Sequence, residues 1–204
     1  IQSLAQGDGR DTFLMTGGTI VGAFEDGDVA KMTGGSIGRV DMKLDNNIFD
    51  MSGGQIIGNL VTGFGRDSII LSGGSIGGNI SVSGGEDDVT VTGGTVGGEI
   101  RLSFGNDRFV WRDAGLIKGA VLMGEDNDTA LLANLSETLL SSTPALDGGL
   151  GTDSLSIENS APETGARYIN WETVNLTRDS RLSLNDTLTL GDSTSGTGVF
   201  NLCL

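Results

Sequence analysis

The sequence predicts an all-β protein, a right-handed parallel β-helix whose turns contain about 20 residues. Two observations support this prediction. The decapeptide LSGGSIGGNI at 71–80 is repeated with conservative changes as VTGGTVGGEI at 91–100. Apolar residues alternate within short segments between glycine pairs, which is the pattern of strands with one buried face. Stacking the units buries faces that a single unit leaves open, as in solenoid proteins.

The glycine pairs recur at a nearly constant interval. They stand at 17–18, 34–35, 53–54, 73–74 and 93–94, so their spacings are 17, 19, 20 and 20 residues. A sixth unit has Asp113 and Ala114 in place of the pair. Glycine adopts backbone conformations that strain other residues, so we expect the pairs to form the same corner on every turn.

Three apolar columns accompany the glycine pairs and are predicted to fill the interior. They lie four and two residues before each pair and two residues after it, as in Ile69, Leu71 and Ile76. Equivalent side chains would stack about 4.8 Å apart. A hydroxyl column is expected to run hydrogen bonds from turn to turn; it consists of Thr16, Thr33, Ser52, Ser72 and Thr92.

A polar column lies six residues before each pair and has two interpretations. Its members are Asp11, Asp28, Asn47, Asp67, Asp87 and Asp107. In the first interpretation each carboxylate accepts hydrogen bonds from backbone N–H groups at its corner, as in an Asx turn. In the second, the carboxylates hold calcium between turns, because calcium binds several oxygen ligands.

One segment favours the calcium interpretation. Residues 148–156, GGLGTDSLS, match the calcium-binding nonapeptide G-G-x-G-x-D-x-U-x, with Asp153 at the acidic position and Leu155 at the apolar one. The match occurs once, in a chain whose period is 20 rather than 9. The sequence therefore predicts no catalytic, cofactor-binding or metal-ligating residue, and calcium remains the alternative.

The regular spacing fails in the second half of the chain. We predict regular turns over 1–127 and irregular terminal turns of the same solenoid over 128–204. Residues 134–149, NLSETLLSSTPALDGG, are predicted to form an inserted loop or short helix whose Leu139 and Leu140 pack on the coil. Strand alternation resumes in 166–176 and 180–191. The residues expected there in the core are Ile169, Trp171, Val174, Leu176, Leu182, Leu184, Leu188 and Leu190.

Composition excludes several classes of function. The chain has no histidine and one cysteine, Cys203, so triads that use histidine and internal disulfides are impossible within it. Its formal net charge is −15, from 27 acidic and 12 basic residues, which disfavours nucleic acid and anionic membranes as partners. No apolar run reaches the roughly 18 residues that span a bilayer.

The glycine-pair turns and the segment INWETVNLTRDSRLSLNDTLTLG at 169–191 resemble the passenger region of bacterial autotransporters, which use type V secretion. The resemblance implies export through the periplasm and outer membrane to the cell surface or the medium. It also implies an adhesin or host-receptor-binding virulence factor, whose partner is a host-cell surface protein or matrix component.

Three other functions remain open from the residues. One is a β-helix enzyme that cleaves polysaccharides, although the Asp residues recur on every turn as structural residues do, so we expect no enzyme. Another is an inert structural spacer. The last is ice binding by the hydroxyl column. We expect the binding contacts to lie in the loop at 134–149 and in the exposed polar columns.

Overall fold

The computed structural model describes residues 1–191 and 198–203, and every strand pairing in it is parallel. Of the predicted terminal region, residues 192–197 and 204 lie outside the described residues. The strands in chain order are β1 (Leu4–Ala5), β2 (Thr12–Glu25), β3 (Val29–Asp41), β4 (Ile48–Ile56), β5 (Leu60–Val61), β6 (Ser68–Leu71), β7 (Ser75–Ile76), β8 (Ile80–Ser81), β9 (Asp88–Val91), β10 (Thr95–Val96), β11 (Ile100–Phe104), β12 (Arg108–Arg112), β13 (Leu116–Ile117), β14 (Val121–Glu125), β15 (Thr129–Ala133), β16 (Leu146–Leu150), β17 (Ser154–Glu158), β18 (Tyr168–Ile169), β19 (Thr173–Thr177) and β20 (Val199–Cys203). The helices are α1 (Glu137–Leu140) and a 3-10 turn, Gly165–Arg167.

The strands stack in three columns around a β-solenoid of about nine turns. Column 1 contains the first part of β2, β3 and β4, followed by β6, β9, β12, β15, β17, β19 and β20. Column 2 contains the later part of β2, β3 and β4, then β7, β10 and β13. Column 3 contains β1, the ends of β2 and β3, then β5, β8, β11, β14, β16 and β18.

The register confirms that residues about 20 apart are vertical neighbours. Ile69 pairs with Val89, and Val89 pairs with Phe109. The second ladder runs through Leu71, Val91 and Trp111 in the same strands. The predicted fold class is therefore confirmed, because the sequence period is the length of one turn.

The inner ladders form one continuous hydrophobic core. Phe49, Phe109, Trp111 and Trp171 are fully buried within it. Burying a large apolar side chain contributes roughly 1.5–3 kcal/mol, so the stacked ladders supply the main favourable free energy of the coil. A single turn has no comparable source of stability by itself. Its stability therefore depends on contacts with the neighbouring turns.

The glycine pairs form the corner between columns 1 and 2. The second glycine of every pair has a positive φ, between 73° and 93°. In the sixth unit the sequence lacks the pair, and the corner is rebuilt by Asp113 at φ 68° and Gly115 at φ 98°. The backbone corner is thus present in the sixth unit although its residues differ, because the chain must change direction there to enter column 2.

The inserted segment interrupts one turn as predicted, at the place of a column 2 strand, but it is shorter than expected. Helix α1 lies within it, and Leu140 is fully buried while Leu139 packs on the core. The segment ends before Leu146, where β16 begins, rather than at residue 149. Residues 146–149 belong to the coil because they pair with β14.

Two expectations for the terminal turns need correction. Residues 181–190 form no strand, although backbone N–H groups of Arg181, Ser183 and Asn185 donate to carbonyls of the preceding turn. The side chains of Leu182 and Leu188, which were expected in the core, are only partly buried against it. Ile169, expected in the core, is 39% exposed at the end of column 3.

Among residues 1–191 and 198–203, no helix has both the length and the apolar character to cross a lipid bilayer.

Candidate functional site

From Asn47 onward the polar column forms a buried ladder at the corner that precedes the column 1 strands, and two further residues, Asp128 and Asp153, extend it. Each aspartate from Asp67 to Asp153 accepts a hydrogen bond from the backbone N–H of the equivalent residue on the preceding turn. The N–H of Asp87, for example, donates to Asp107 Oδ1 over 2.8 Å. The predicted backbone hydrogen bonds are therefore present, but they join successive turns instead of closing a local Asx turn.

Burial makes these carboxyl groups weaker acids than usual. It raises the pKa of Asp107 to about 8, and repulsion from neighbouring carboxylates adds to the effect while the hydrogen bond from the Asp87 N–H opposes it. Burial likewise raises the pKa of Asp87 and of Asp128 to about 6. The Oδ2 atoms of these three residues are buried without a hydrogen-bonding partner in the described part of the chain. The ladder is thus an interior structural element that favours bound protons.

The residues that matched the calcium nonapeptide have structural contacts within the coil. Asp153 Oδ1 accepts the N–H of Asp128 over 2.7 Å and belongs to the buried ladder. No group of three or more Cys, Asp or Glu residues in the described ranges is arranged to hold a metal ion. The close stacking of turns explains the glycines of the motif, because β-carbons on Gly149 and Gly151 would overlap carbonyl oxygens of Gly124 and Asp126.

The hydroxyl column lies at the outer surface beside the glycine corner. Thr16, Thr33 and Ser52 are exposed, and the column ends where Arg112 takes the next position. Ser72 Oγ donates to the carbonyl oxygen of Met51 on the preceding turn, over 3.4 Å. At this position the hydroxyl therefore bonds to backbone, in the turn-to-turn direction that was predicted.

The inserted segment is pinned to the coil rather than projecting from it. The Arg167 guanidinium donates to both carboxylate oxygens of Glu137, over 2.6 and 3.2 Å, and Arg167 is 5% exposed. The N–H of Glu163 also donates to Glu137, over 2.9 Å. Arg167 lowers the pKa of Glu137 in spite of the burial that opposes it. Tyr168 and Trp171, which the sequence left open as contacts, are buried in the core.

Sequence reasoning missed an exposed apolar stripe at the corner between columns 3 and 1. We call it the corner stripe; on six successive turns it consists of Leu44, Phe64, Gly84, Phe104, Glu125 and Leu150. Its four large apolar side chains are each more than half exposed, from 52% at Leu150 to 66% at Phe64. The turn spacing makes the stripe about 24 Å long. Every member lies three residues before a residue of the polar column. This constant spacing could have been recognised in the repeat pattern.

Stacked parallel strands and a three-column core define the chain as a parallel β-solenoid, and an exposed stripe follows one of its corners. A solved structure with this fold is described as an X-ray crystal structure of a hyperactive, Ca2+-dependent, beta-helical antifreeze protein from an Antarctic bacterium. The two superpose with a TM-score of 0.69 at 20% identity, over 98% of this chain and 60% of that one. The similarity supports the fold. No family model and no curated protein sequence matches the chain.

Proposed function

We propose that this chain is part of an exported, non-enzymatic passenger that acts as an adhesin or host-receptor-binding rod. Its location would be the bacterial surface or the medium, and its partner a host-cell surface protein or matrix component. The observation that carries the proposal is the corner stripe. Its four large apolar side chains are each more than half exposed along one corner, and extended exposed apolar surface is typical of interaction sites. A solenoid also presents such a surface along a straight line, which suits extended contacts.

The position of the acidic residues supports a binding role over a polysaccharide-cleaving one. Asp67, Asp87, Asp107 and Asp128 are 1–2% exposed, with their carboxylates turned into the coil. A general acid or base must come within hydrogen-bonding distance of its substrate. A polysaccharide on the outer face would not reach these groups. The charge of −15 supports a protein partner with basic surface over nucleic acid or anionic lipid.

We expect the purified protein to attach saturably to cultured animal cells, and the stripe to be required. Replacing Leu44, Phe64, Phe104 and Leu150 by serine should reduce attachment at least about tenfold, because exposed apolar and aromatic anchors dominate binding energy. Flow cytometry of the labelled protein measures the effect. The matched control replaces Leu14, Val21 and Ile57, which are 59–65% exposed on other faces. Attachment confined to bare plastic, or unchanged in the stripe variant, would contradict the proposal.

Ice binding is the second candidate, because a β-helical antifreeze protein shares the fold and the hydroxyl column is exposed. The column runs over five turns only, mixes serine with threonine and adjoins glycines that add no side chain. We therefore expect no thermal hysteresis, with or without added calcium. Hysteresis that disappears on replacing Thr16 and Thr33 by lysine would reverse the order of the two candidates.

A further inference from the structure

Two residues that depart from the repeat pattern meet inside the coil. Thr62 follows β5 and is the polar member of an otherwise apolar inner ladder at the end of column 3. The other members of this ladder on neighbouring turns are Met42, Val82, Leu102 and Met123. Asn47 is the one amide in the polar column, which otherwise consists of aspartates. Both side chains are fully buried.

The carboxyl group of Asp67 is the common neighbour of these two side chains. Asp67 is 1% exposed, and its Oδ1 atom accepts a hydrogen bond from the Asn47 backbone N–H over 2.8 Å. Burial raises the pKa of Asp67, and the nearby Thr62 hydroxyl and the Asn47 backbone and side chain oppose that rise. Thr62 and Asn47 therefore both face the same carboxyl group.

One oxygen atom of each residue is buried without a hydrogen-bonding partner in the part of the chain that the structure describes. The three atoms are Asn47 Oδ1, Thr62 Oγ1 and Asp67 Oδ2. The orientation of the Asn47 amide is fixed, because its Nδ2 donates to the carbonyl oxygens of Leu44 and Asp45 over 3.2 and 3.3 Å. An unpaired buried polar atom is costly, so a cluster of three indicates a partner from outside the chain.

The donors and acceptors of the three atoms match one water molecule. Asn47 Oδ1 and the Asp67 carboxylate accept hydrogen bonds, whereas the Thr62 hydroxyl can donate one. A water molecule donates two hydrogen bonds and accepts others, and buried waters typically make about three bonds to such groups. A direct bond from Thr62 to Asp67 would leave Asn47 Oδ1 without a donor. Threonine is also smaller than the leucine and methionines of its ladder, which favours a small ligand on this turn.

We propose that a single buried water molecule binds among Asn47 Oδ1, Thr62 Oγ1 and Asp67 Oδ2. It donates to the asparagine and aspartate oxygens and accepts the threonine hydroxyl. All three protein atoms are then paired without any change in the backbone. This inference concerns the interior of the coil and does not depend on the proposed function.

The bound water supports one outer loop. Residues 62–67 run around the corner between columns 3 and 1 and carry Phe64 of the corner stripe. The water joins the first and last side chains of this loop. The equivalent loops on the next two turns begin with Val82 and Leu102, whose side chains cannot hydrogen-bond to water. The water is therefore a positioning element for the loop of Phe64 alone among these three.

A crystal structure at a resolution that shows ordered water tests the proposal directly. We expect one water oxygen about 2.7–3.2 Å from each of the three protein oxygens. The variant Thr62→Val, which takes the side chain found at position 82, should lose this water. A native structure without the water, or with a direct hydrogen bond between Thr62 Oγ1 and Asp67 Oδ2, would overturn the proposal. A metal ion at the same place, identified by anomalous scattering, would do so as well.

Hydrogen exchange of backbone amides measures the consequence in solution. The Gly65 N–H donates to the carbonyl of Gly84 over 2.9 Å, and the equivalent Gly85 N–H donates to that of Phe104 over 3.0 Å. We expect Thr62→Val to speed exchange at Gly65 roughly fivefold or more, while Gly85 exchanges as in the native protein. Equal changes at the two glycines, including no change at either, would contradict a role of the water in this loop.

Two further variants separate the water from other effects of the substitution. Thr92→Val makes the same change at a half-buried position on the outer surface and should leave exchange at both glycines unchanged. Thr62→Ser retains the hydroxyl, so it should keep the water and the native exchange rate at Gly65. A serine variant that behaves like the valine variant would show that the methyl group of Thr62, rather than bound water, orders the loop.

Discussion

Replacing Gly151 by alanine is expected to lower the free energy of unfolding by roughly 2–6 kcal/mol. Gly151 has a φ of +151°, a conformation that costs a residue with a β-carbon about 1–3 kcal/mol. The new β-carbon would also overlap the carbonyl oxygen of Asp126 on the preceding turn. Overpacking of this kind adds about 1–3 kcal/mol. Urea unfolding followed by circular dichroism measures the loss.

The control for this substitution is Gly17→Ala. Gly17 is exposed, its φ is not positive, and no heavy atom lies within 4 Å of the position that a β-carbon would take there. Its replacement should change the free energy of unfolding by no more than about 0.5 kcal/mol. If the two variants unfold alike, the glycines of 148–151 are not required by the stacking of turns. Calcium binding would then be the better reason for the motif.

The protein is expected to become more stable as the pH falls from 8.5 to 5, and Asp107 is expected to be the largest source of this dependence. Burial raises the pKa of Asp107 to about 8 from an ordinary value of 3.8. Between those values the folded protein holds a proton that the unfolded chain releases, so the free energy of unfolding falls as the pH rises. The contribution is fully present below pH 3.8 and is lost as the pH passes about 6 for Asp87 and Asp128 and about 8 for Asp107.

Asp107→Asn tests this source directly. Asparagine is neutral at every pH, and its Oδ1 can still accept the hydrogen bond from the Asp87 N–H. The natural chain already has Asn47 in the same column. We expect the variant to be more stable than the native protein at pH 8.5, by roughly 1–3 kcal/mol, and equally stable at pH 4. Thermal melting across this range measures the difference.

The matched control is Asp8→Asn, which removes one negative charge from an exposed position. It should leave the pH dependence of the melting temperature unchanged, which separates burial from net charge. A native protein that is most stable at pH 8.5, or an Asp107→Asn variant with the native pH profile, would show that the ladder is ionised in the folded state.

An acidic ladder of this kind has a consequence for function. If the chain is an exported adhesin, as proposed, its free energy of unfolding would be greater at mildly acidic surfaces than at alkaline ones. The corner stripe lies three residues from the ladder along the chain. The spacing of its side chains therefore depends on the same stacking of turns that the ladder stabilises.

The sequence by itself determined the class of fold, the register and the core of the regular turns. A period of 20 residues makes Ile69, Val89 and Phe109 equivalent, and equivalent residues in a coil must stack. It also located the interruption at α1 and its packing through Leu140, because an apolar pair in a polar segment needs a partner. These features depend on local pattern and repetition, which one sequence contains in full.

Only the tertiary structure decided which polar and apolar residues face outward. The aspartates were expected to accept hydrogen bonds within their own corners, but stacking buries them and their hydrogen-bond donors come from the turn before. Phe64 and Phe104 carry the same hydrophobicity as core residues, and their position at an outer corner depends on the direction of the chain after column 3. Such side-chain directions arise from contacts between turns. A repeat pattern therefore fixes which residues are neighbours, whereas the packed coil fixes what they contact.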